Sequence, residues 1–504
     1  LENLNTMTSV LFVILFGLGI DYGIHFYARY IELRSEGKNV HESLIAAYER
    51  TGIAIMVSAV TTSSALFVLI FADFRGFSEF GFIAGLGILL ALVCMLYILP
   101  ALLAIFERFN LILLNEDPRS DTQDKISRRY PFARTIVWVS VLITAVVLFN
   151  ADKLRFEYDF GKLEPEFVEY RQFREFTGGF RESDRRNPAY IIVETNEEVF
   201  ELLDSVRVKS EKEESFILDF EALQQRIPPN EQLKKNKLEL AQQVKDLLKD
   251  PFLVDRQDES LDILRRATEE IKPLPADSIP AFLKNRFITK DGEIGKFVII
   301  YPEGSMSDSR RSIAFKNEIG SFTLSNGKTY YAGSTSLVAA EMIDLMRRES
   351  PYMITATFIM IFILMYFSFR SFRWTLIALI PLIIGLMALF GLMLLFDLRF
   401  NFYNLVVLPA ILGIGVDNGA HLAHRYHDVG KYSMWSVLSS TGQHITIGSF
   451  TTMLGFAGLL FTNHPGLQSI GFIAASGIGM AWLTAVTFLP ALVQYLEDKN
   501  KIRF

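Results

Sequence analysis

The sequence predicts a multi-pass α-helical membrane protein with an extracytoplasmic α+β domain, built on two parallel pseudo-repeats. Three observations carry that prediction. Apolar runs long enough to cross a bilayer crowd both ends of the 504-residue chain. Residues 151–347 between them hold nearly all the long charged stretches. One block of three apolar helices occurs twice, in the same order. Half of the residues are hydrophobic and the mean hydropathy is +0.27, too apolar for an ordinary soluble protein, yet 21% are charged, too many for a wholly embedded one.

Nine spanning segments fall near 6–28, 51–71, 80–106, 134–150, 351–369, 374–396, 402–424, 443–461 and 469–496. Short loops on one side carry seventeen Lys and Arg, among them Arg29, Arg34, Arg129, Arg370, Arg425 and Lys499; those on the other carry only Arg75 and Arg399. Basic loops stay cytoplasmic, so the first helix runs inward, the C-terminus is cytoplasmic and the charged domain lies on the far face. In these terms, 1–106 holds the last three helices of a first transmembrane repeat and 107–133 is a cytoplasmic linker. Residues 134–150 form the first helix of the second repeat, and 151–347 are the extracytoplasmic α+β domain. The remaining five transmembrane helices fall within 351–496, and 497–504 is a cytoplasmic tail.

The repeat is exact in order. Asp21 aligns with Asp417 and Arg29-Tyr30 with Arg425-Tyr426 at an offset of 396. After a loop six residues shorter in the second copy the offset is 390, matching Thr61-Thr62 with Thr451-Thr452 and Leu99-Pro100-Ala101-Leu102 with Leu489-Pro490-Ala491-Leu492. Parallel repeats of this kind are a transporter signature. The chain starts at Leu1 beside a spanning helix, so a truncated beginning is expected. Only 20 residues precede Asp21, against about 286 between Pro131 and Asp417. Equal halves would then place roughly 266 further residues upstream, enough for three helices and a first aqueous domain, twelve helices in all.

Within 151–347, β-branched and aromatic content predicts strands over 188–194, 296–301 and 328–333. Amphipathic spacing predicts helices over 230–248, 261–271 and 307–319, the first with a solvated charged face. Residues 334–348, ending at Pro351, form a helix leading into the membrane. Cys94 stands alone in an apolar span, so no internal disulfide can form. No basic stripe points to nucleic acid. The run Gly-x-Gly lacks the strand and third glycine of a nucleotide loop, and no Walker lysine, metal-spaced cluster or nucleophile elbow supports a cofactor or enzyme activity.

The candidate site is the duplicated stretch Gly17-Leu18-Gly19-Ile20-Asp21-Tyr22-Gly23-Ile24-His25 and Gly413-Ile414-Gly415-Val416-Asp417-Asn418-Gly419-Ala420-His421. Ionisable groups inside a span are costly and usually face a bundle interior or water path. Gly17, Gly19, Gly23, Gly413, Gly415 and Gly419 let neighbouring helices approach closely. Helical spacing sets Asp21, His25 and Arg29 on one face, and Asp417, His421 and Arg425 likewise, each Asp one turn deeper than its His. Such groups can exchange protons if water reaches them, and a proton crossing the membrane releases about 2.3 kcal/mol per 100 mV. The structural alternative is that each Asp only pairs with a polar group on a neighbouring helix, and that His25 and His421 are interfacial anchors. Thr61, Thr62, Thr451 and Thr452 can hydrogen-bond a carboxyl or bond back to their own helix. Tyr22 can donate to the other half's carboxylate, whereas Asn418 at the matching place cannot titrate, so the halves are chemically unequal.

These motifs resemble the resistance-nodulation-division (RND) superfamily, and Gly19-Ile20-Asp21-Tyr22-Gly23-Ile24-His25-Phe26 is most similar to its MMPL branch, which includes bacterial hopanoid transporters. The likeness covers the whole chain as the C-terminal two-thirds of such a protein. It implies an RND fold with a porter-like aqueous domain in the bacterial inner membrane. It also implies proton-driven export of lipids or other hydrophobic molecules, with Asp21 and Asp417 as relay carboxylates. A homo-oligomer or a periplasmic partner is compatible with it. The rival readings on the same fold are a non-enzymatic secretion or assembly accessory factor and a lipid-sensing scaffold.

Overall fold

The first duplicated block folds as three long apolar segments: α1 (Leu11–Ser35), α2 (Ile53–Phe67) and α3 (Arg75–Val93), the last continued by α4 (Leu99–Arg108). The computed structural model describes residues 11–112, 129–177, 187–226, 231–254, 256, 258–269, 271 and 281–499. Residues in the expected linker 107–133, and at both chain ends, lie partly outside that set. A 17-residue apolar helix follows, α5 (Ala133–Phe149). By contacts the chain forms two units, Leu1–Pro165 with Ile343–Phe504, and Glu166–Met342.

The second unit is an α+β module around a three-stranded antiparallel sheet ordered β1-β3-β2: β1 (Ala189–Ile192), β2 (Ile217–Glu221) and β3 (Phe297–Pro302). Central β3 is buried at every residue, which is why it reads as an unbroken apolar run. Val298 and Ile300 face Val199, Leu202 and Val206 of α6 (Asn196–Ser210) and Phe315 of a later helix, while Phe297, Ile299 and Tyr301 cluster with Phe287. Burial first, then the Glu221 carboxylate, hold the Tyr301 hydroxyl above its ordinary range, so it donates to Glu221. Further along come α7 (Glu231–Leu247), α8 (Glu259–Ala267) and α9 (Ser309–Ile319), then a hairpin of β4 (Ser321–Thr323) and β5 (Thr329–Tyr331) turned at Gly327, whose φ of 78° suits glycine. The three expected strands and three expected helices are present. Missing from the expectation were β2, β4, α6 and the ten-residue helix Val168–Thr177, besides shorter helical pieces.

Two boundaries differ from the sequence reading. Residues after α5 group with the membrane unit rather than with the domain expected at 151–347, because they are tied there by backbone bonds: Glu157 N to Phe400 O at 2.7 Å, Phe400 N to Arg155 O at 3.0 Å and Gly466 N to Leu163 O at 3.1 Å. The helix expected to end at Pro351 instead runs on as α10 (Thr335–Phe369). A proline removes one backbone donor, which a 35-residue helix tolerates.

The other spans are α11 (Phe372–Leu395), α12 (Val407–Val429), α13 (Gln443–Ala457) and α14 (Pro465–Asp498). Among the described residues, eight helical stretches are long and apolar enough to cross a bilayer, and α5 is the shorter ninth. The duplication extends to backbone detail. Single π-turns at Tyr48–Gly52 and Leu438–Gly442, and 3₁₀ turns at Val68–Phe71 and Gly458–Phe461, all recur at the offset of 390. The prolines are handled differently. Before Pro100 the helix loosens into a third π-turn, Cys94–Ile98, whereas α14 continues through Pro490 and the Val486 carbonyl that Pro490 cannot serve accepts from the Tyr130 hydroxyl at 3.2 Å.

Candidate functional site

The two carboxylates are framed by helices exchanged between the halves. Helix α1, carrying Asp21, packs on α13 of the second half, and α12, carrying Asp417, packs on α2 of the first. Glycine makes this possible. A Cβ at Gly17 would meet the Thr452 backbone at 3.4 Å, and one at Gly413 would meet Thr62 Cα at 3.3 Å. Across each contact a threonine reaches the facing backbone: Thr62 Oγ1 lies 3.0 Å from the Gly413 carbonyl, and Thr452 Oγ1 lies 3.2 Å from the Gly17 carbonyl. These bonds are equivalent under the duplication, so the bundle centre is a pseudo-two-fold contact.

The carboxylates themselves are not equivalent. Asp417 is 7% exposed, with Oδ2 3.1 Å from Thr62 Oγ1 and with Ser58 in hydrogen-bonding reach. Thr62 can donate to Asp417 when the acid is ionised. When the acid is protonated, it can accept from Asp417 and turn its own proton to Gly413, so this partner suits either state. At the place matching Ser58, the second half has Gly448, and Asp21 presses against its backbone. Asp21 Oδ1 is buried with no hydrogen-bond partner, though the Asp21 side chain as a whole is 23% exposed. Tyr22 is buried at the centre, near both acids and within reach of Ser58 and Thr62. Its counterpart Asn418 accepts from Ser449 at 3.1 Å.

Not every expected residue is gathered here. Thr61 bonds back to the Val57 carbonyl at 2.8 Å and Thr451 to the Ile447 carbonyl at 2.7 Å, so neither hydroxyl is turned to a carboxyl. Each is the neighbour of a threonine that does cross the interface, and adjacent helical residues point about 100° apart. The histidines, by contrast, meet. His25 and His421 stack with ring centroids 4.8 Å apart and planes at 27°, and His25 Nε2 is 3.6 Å from Asp21 Oδ1. Two full charges at that centroid separation repel by about 3.5 kcal/mol at an effective dielectric of 20. Two more imidazoles stand near the pair. His444 on α13 acts electrostatically on His25, and His424 on α12 acts on His421 while contacting Ser368 Oγ at 3.0 Å and stacking on Phe369. Sequence reading passed over both because Ala54 and Ala28 occupy the matching places in the first copy. Their position inside spans was the available signal.

Beyond the histidines, each Asp helix is fastened to the last helix of its own half by a Tyr–Glu hydrogen bond. Tyr30 donates to Glu107 and Tyr426 to Glu497, and both residue pairs are equivalent under the duplication. The first clamp adds Arg34, which pairs with Glu107; Gly430 stands at the matching place in the second, where Glu497 instead accepts from the Tyr432 N–H at 2.7 Å. Tyr426 is fully buried and Glu497 is 6% exposed. Tyr426→Phe should therefore cost about 1–3 kcal/mol, and Tyr30→Phe less because Arg34 still holds Glu107. Thermal unfolding of the two variants in detergent should show that order.

Among the described residues, no three His, Cys, Asp or Glu side chains converge as a metal site requires. The model of the MMPL family matches residues 2–143 and 215–501. The hopanoid transporter HpnN of Rhodopseudomonas palustris is 21% identical over 98% of the chain and 61% of its own length, and HpnN of Burkholderia multivorans is 23% identical over 97% and 61%. The chain thus spans about three-fifths of the length of these relatives. Among solved structures, SecDF from Thermus thermophilus, a translocon-associated membrane protein, superposes with a TM-score of 0.55 at 13% identity, covering 97% of this chain and 54% of that one. At that identity the likeness is one of fold.

Proposed function

The chain belongs to the MMPL family, and from that premise we propose that it is the larger part of a proton-driven exporter of lipids or other hydrophobic molecules, with Asp21 and Asp417 as its proton carriers. The observation that carries this reading is the pair of buried-span carboxyls, each on a helix packed against the other half, with Asp417 held across that contact by Thr62. Thr62, Thr452 and Tyr22 would shape that contact, and His25 and His421 would pass protons to and from it. Thr61 and Thr451 have no place in this scheme. The hydrophobic cargo is proposed from the relatives named as hopanoid transporters. The distribution of Lys and Arg favours an α+β unit outside and a C-terminus in the cytoplasm, and the bacterial HpnN relatives favour an inner-membrane location. No observation favours the secretion accessory or sensing scaffold over this reading.

The test uses the full-length protein in liposomes under an imposed pH gradient. Asp21→Asn and Asp417→Asn should each lower proton-coupled movement at least tenfold with unfolding temperature preserved, since Asn keeps the size and loses the proton. Wild-type coupling in both variants would remove the proton from the mechanism. Mass spectrometry of co-purified lipid checks the cargo class.

A further inference from the structure

Between the two carboxyls and the other end of their helices stands the His25–His421 stack, one ring from each half. The duplication alone does not require contact, because equivalent residues can lie on opposite sides of a pseudo-axis. Here they touch. Like charges in such close contact exclude one another, so protonating one ring disfavours protonating the other. His25 is 9% exposed and points Nε2 at the unpartnered Asp21 Oδ1, while Asp417 is engaged with Thr62. One acid is thus held and the other open, in a single arrangement of the bundle.

We propose that the stacked pair carries one proton shared between the halves and delivers it to one carboxyl at a time, so that Asp21 and Asp417 are loaded in turn. This rests on the proton-relay reading above. In the step at the open side, the proton on His25 Nε2 moves to Asp21 Oδ1 as the two close from 3.6 Å to hydrogen-bond distance. The imidazolium becomes a neutral imidazole and the carboxylate a neutral acid, with no other reactant. His421, relieved of its charged neighbour, can then take the next proton. Among the described residues, Asp21 on α1, His424 on α12 and His444 on α13 act on the pair. The two outer histidines sit where they can feed the stack and by their own charge reinforce its limit of one proton.

His25→Phe and His421→Phe keep a ring in the stack and remove the proton. In the liposome assay each should lower proton-coupled flux at least tenfold, and the double variant should be no worse than the poorer single, as for two groups acting as one unit. Multiplying losses would mean two independent relays and would overturn the proposal. Flux preserved in both Phe variants while Asp21→Asn loses it would reduce the pair to packing, leaving the relay reading intact; flux preserved in the Asp variants would end both. Should a Phe variant not fold, nitrogen NMR of labelled histidines in the wild-type protein decides. One proton entering the pair across the working pH range is expected, and two entering there would refute the shared site.

Discussion

Gly448→Ala should lower proton-coupled transport by about a hundredfold while leaving the protein folded. A Cβ at that position would fall inside the Asp21 carboxyl, so the acid must rotate away. Alanine is a better helix former than glycine, so α13 itself is favoured by the change and the loss cannot be charged to helix propensity. What is disturbed is the aim of one reactive group, and misplacement by about 1 Å is enough for losses of that order. Matching the loss against Asp21→Asn in the same liposomes, with unfolding temperatures for both, separates misdirection from unfolding. Near-normal transport would mean that the position of Asp21 is not critical. The matching change in the other half, Ser58→Gly, removes one partner of Asp417 but leaves Thr62, and should be mild by comparison.

How far the sequence carries a reader can be judged at this same contact. The duplicated Gly-x-Gly-x-Asp helices announce themselves, since an acid in an apolar span is conspicuous and its repetition more so. That α1 would pack on α13 and α12 on α2 does not, because a repeat looks the same whether its copies pack within themselves or exchange partners. So Thr62 could be chosen over Thr61 only from the side each presents. The Tyr30–Glu107 and Tyr426–Glu497 clamps were half visible: the tyrosines lie in the aligned segment, and Glu107 and Glu497 recur at the offset of 390, but nothing in the chain says that they meet. In the α+β unit, helix α6 was legible in a signal left unused, the Thr195…Glu198 capping box, which the structure forms in full. Strand β2 was hidden for a better reason. Asp219 interrupts its apolar residues and a register shift at Ile217/Asp219 breaks the alternation on which strand reading depends.

The pseudo-equivalent glycines Gly23 and Gly419 should respond to the same substitution in opposite measure, Gly419→Ala destabilising by about 2–3 kcal/mol and Gly23→Ala by less than about 1 kcal/mol. Sequence gives them one role; their neighbours do not. A Cβ at Gly419 would run into the Ala378 carbonyl oxygen, a backbone atom of α11 that cannot move unless the helix moves. One at Gly23 would come to 3.0 Å from Met95 Sδ, the end of a flexible side chain that can turn aside. The contrast recurs one turn earlier: a Cβ at Gly415 would approach Leu382 Cδ1 to 2.8 Å and Ala481 Cβ to 3.0 Å, whereas at Gly19 it would stand 3.4 Å from Ala91 Cβ. Around the second acid the helix is therefore gripped by α11 and α14, and around the first it has room. If the halves alternate in taking up protons, the looser α1 is the helix free to shift, and α12 is the frame it shifts against. Thermal unfolding in detergent measures the first part. Equal losses at Gly23 and Gly419 would show that the two helices are held alike, and the division into a moving helix and a fixed one would fall.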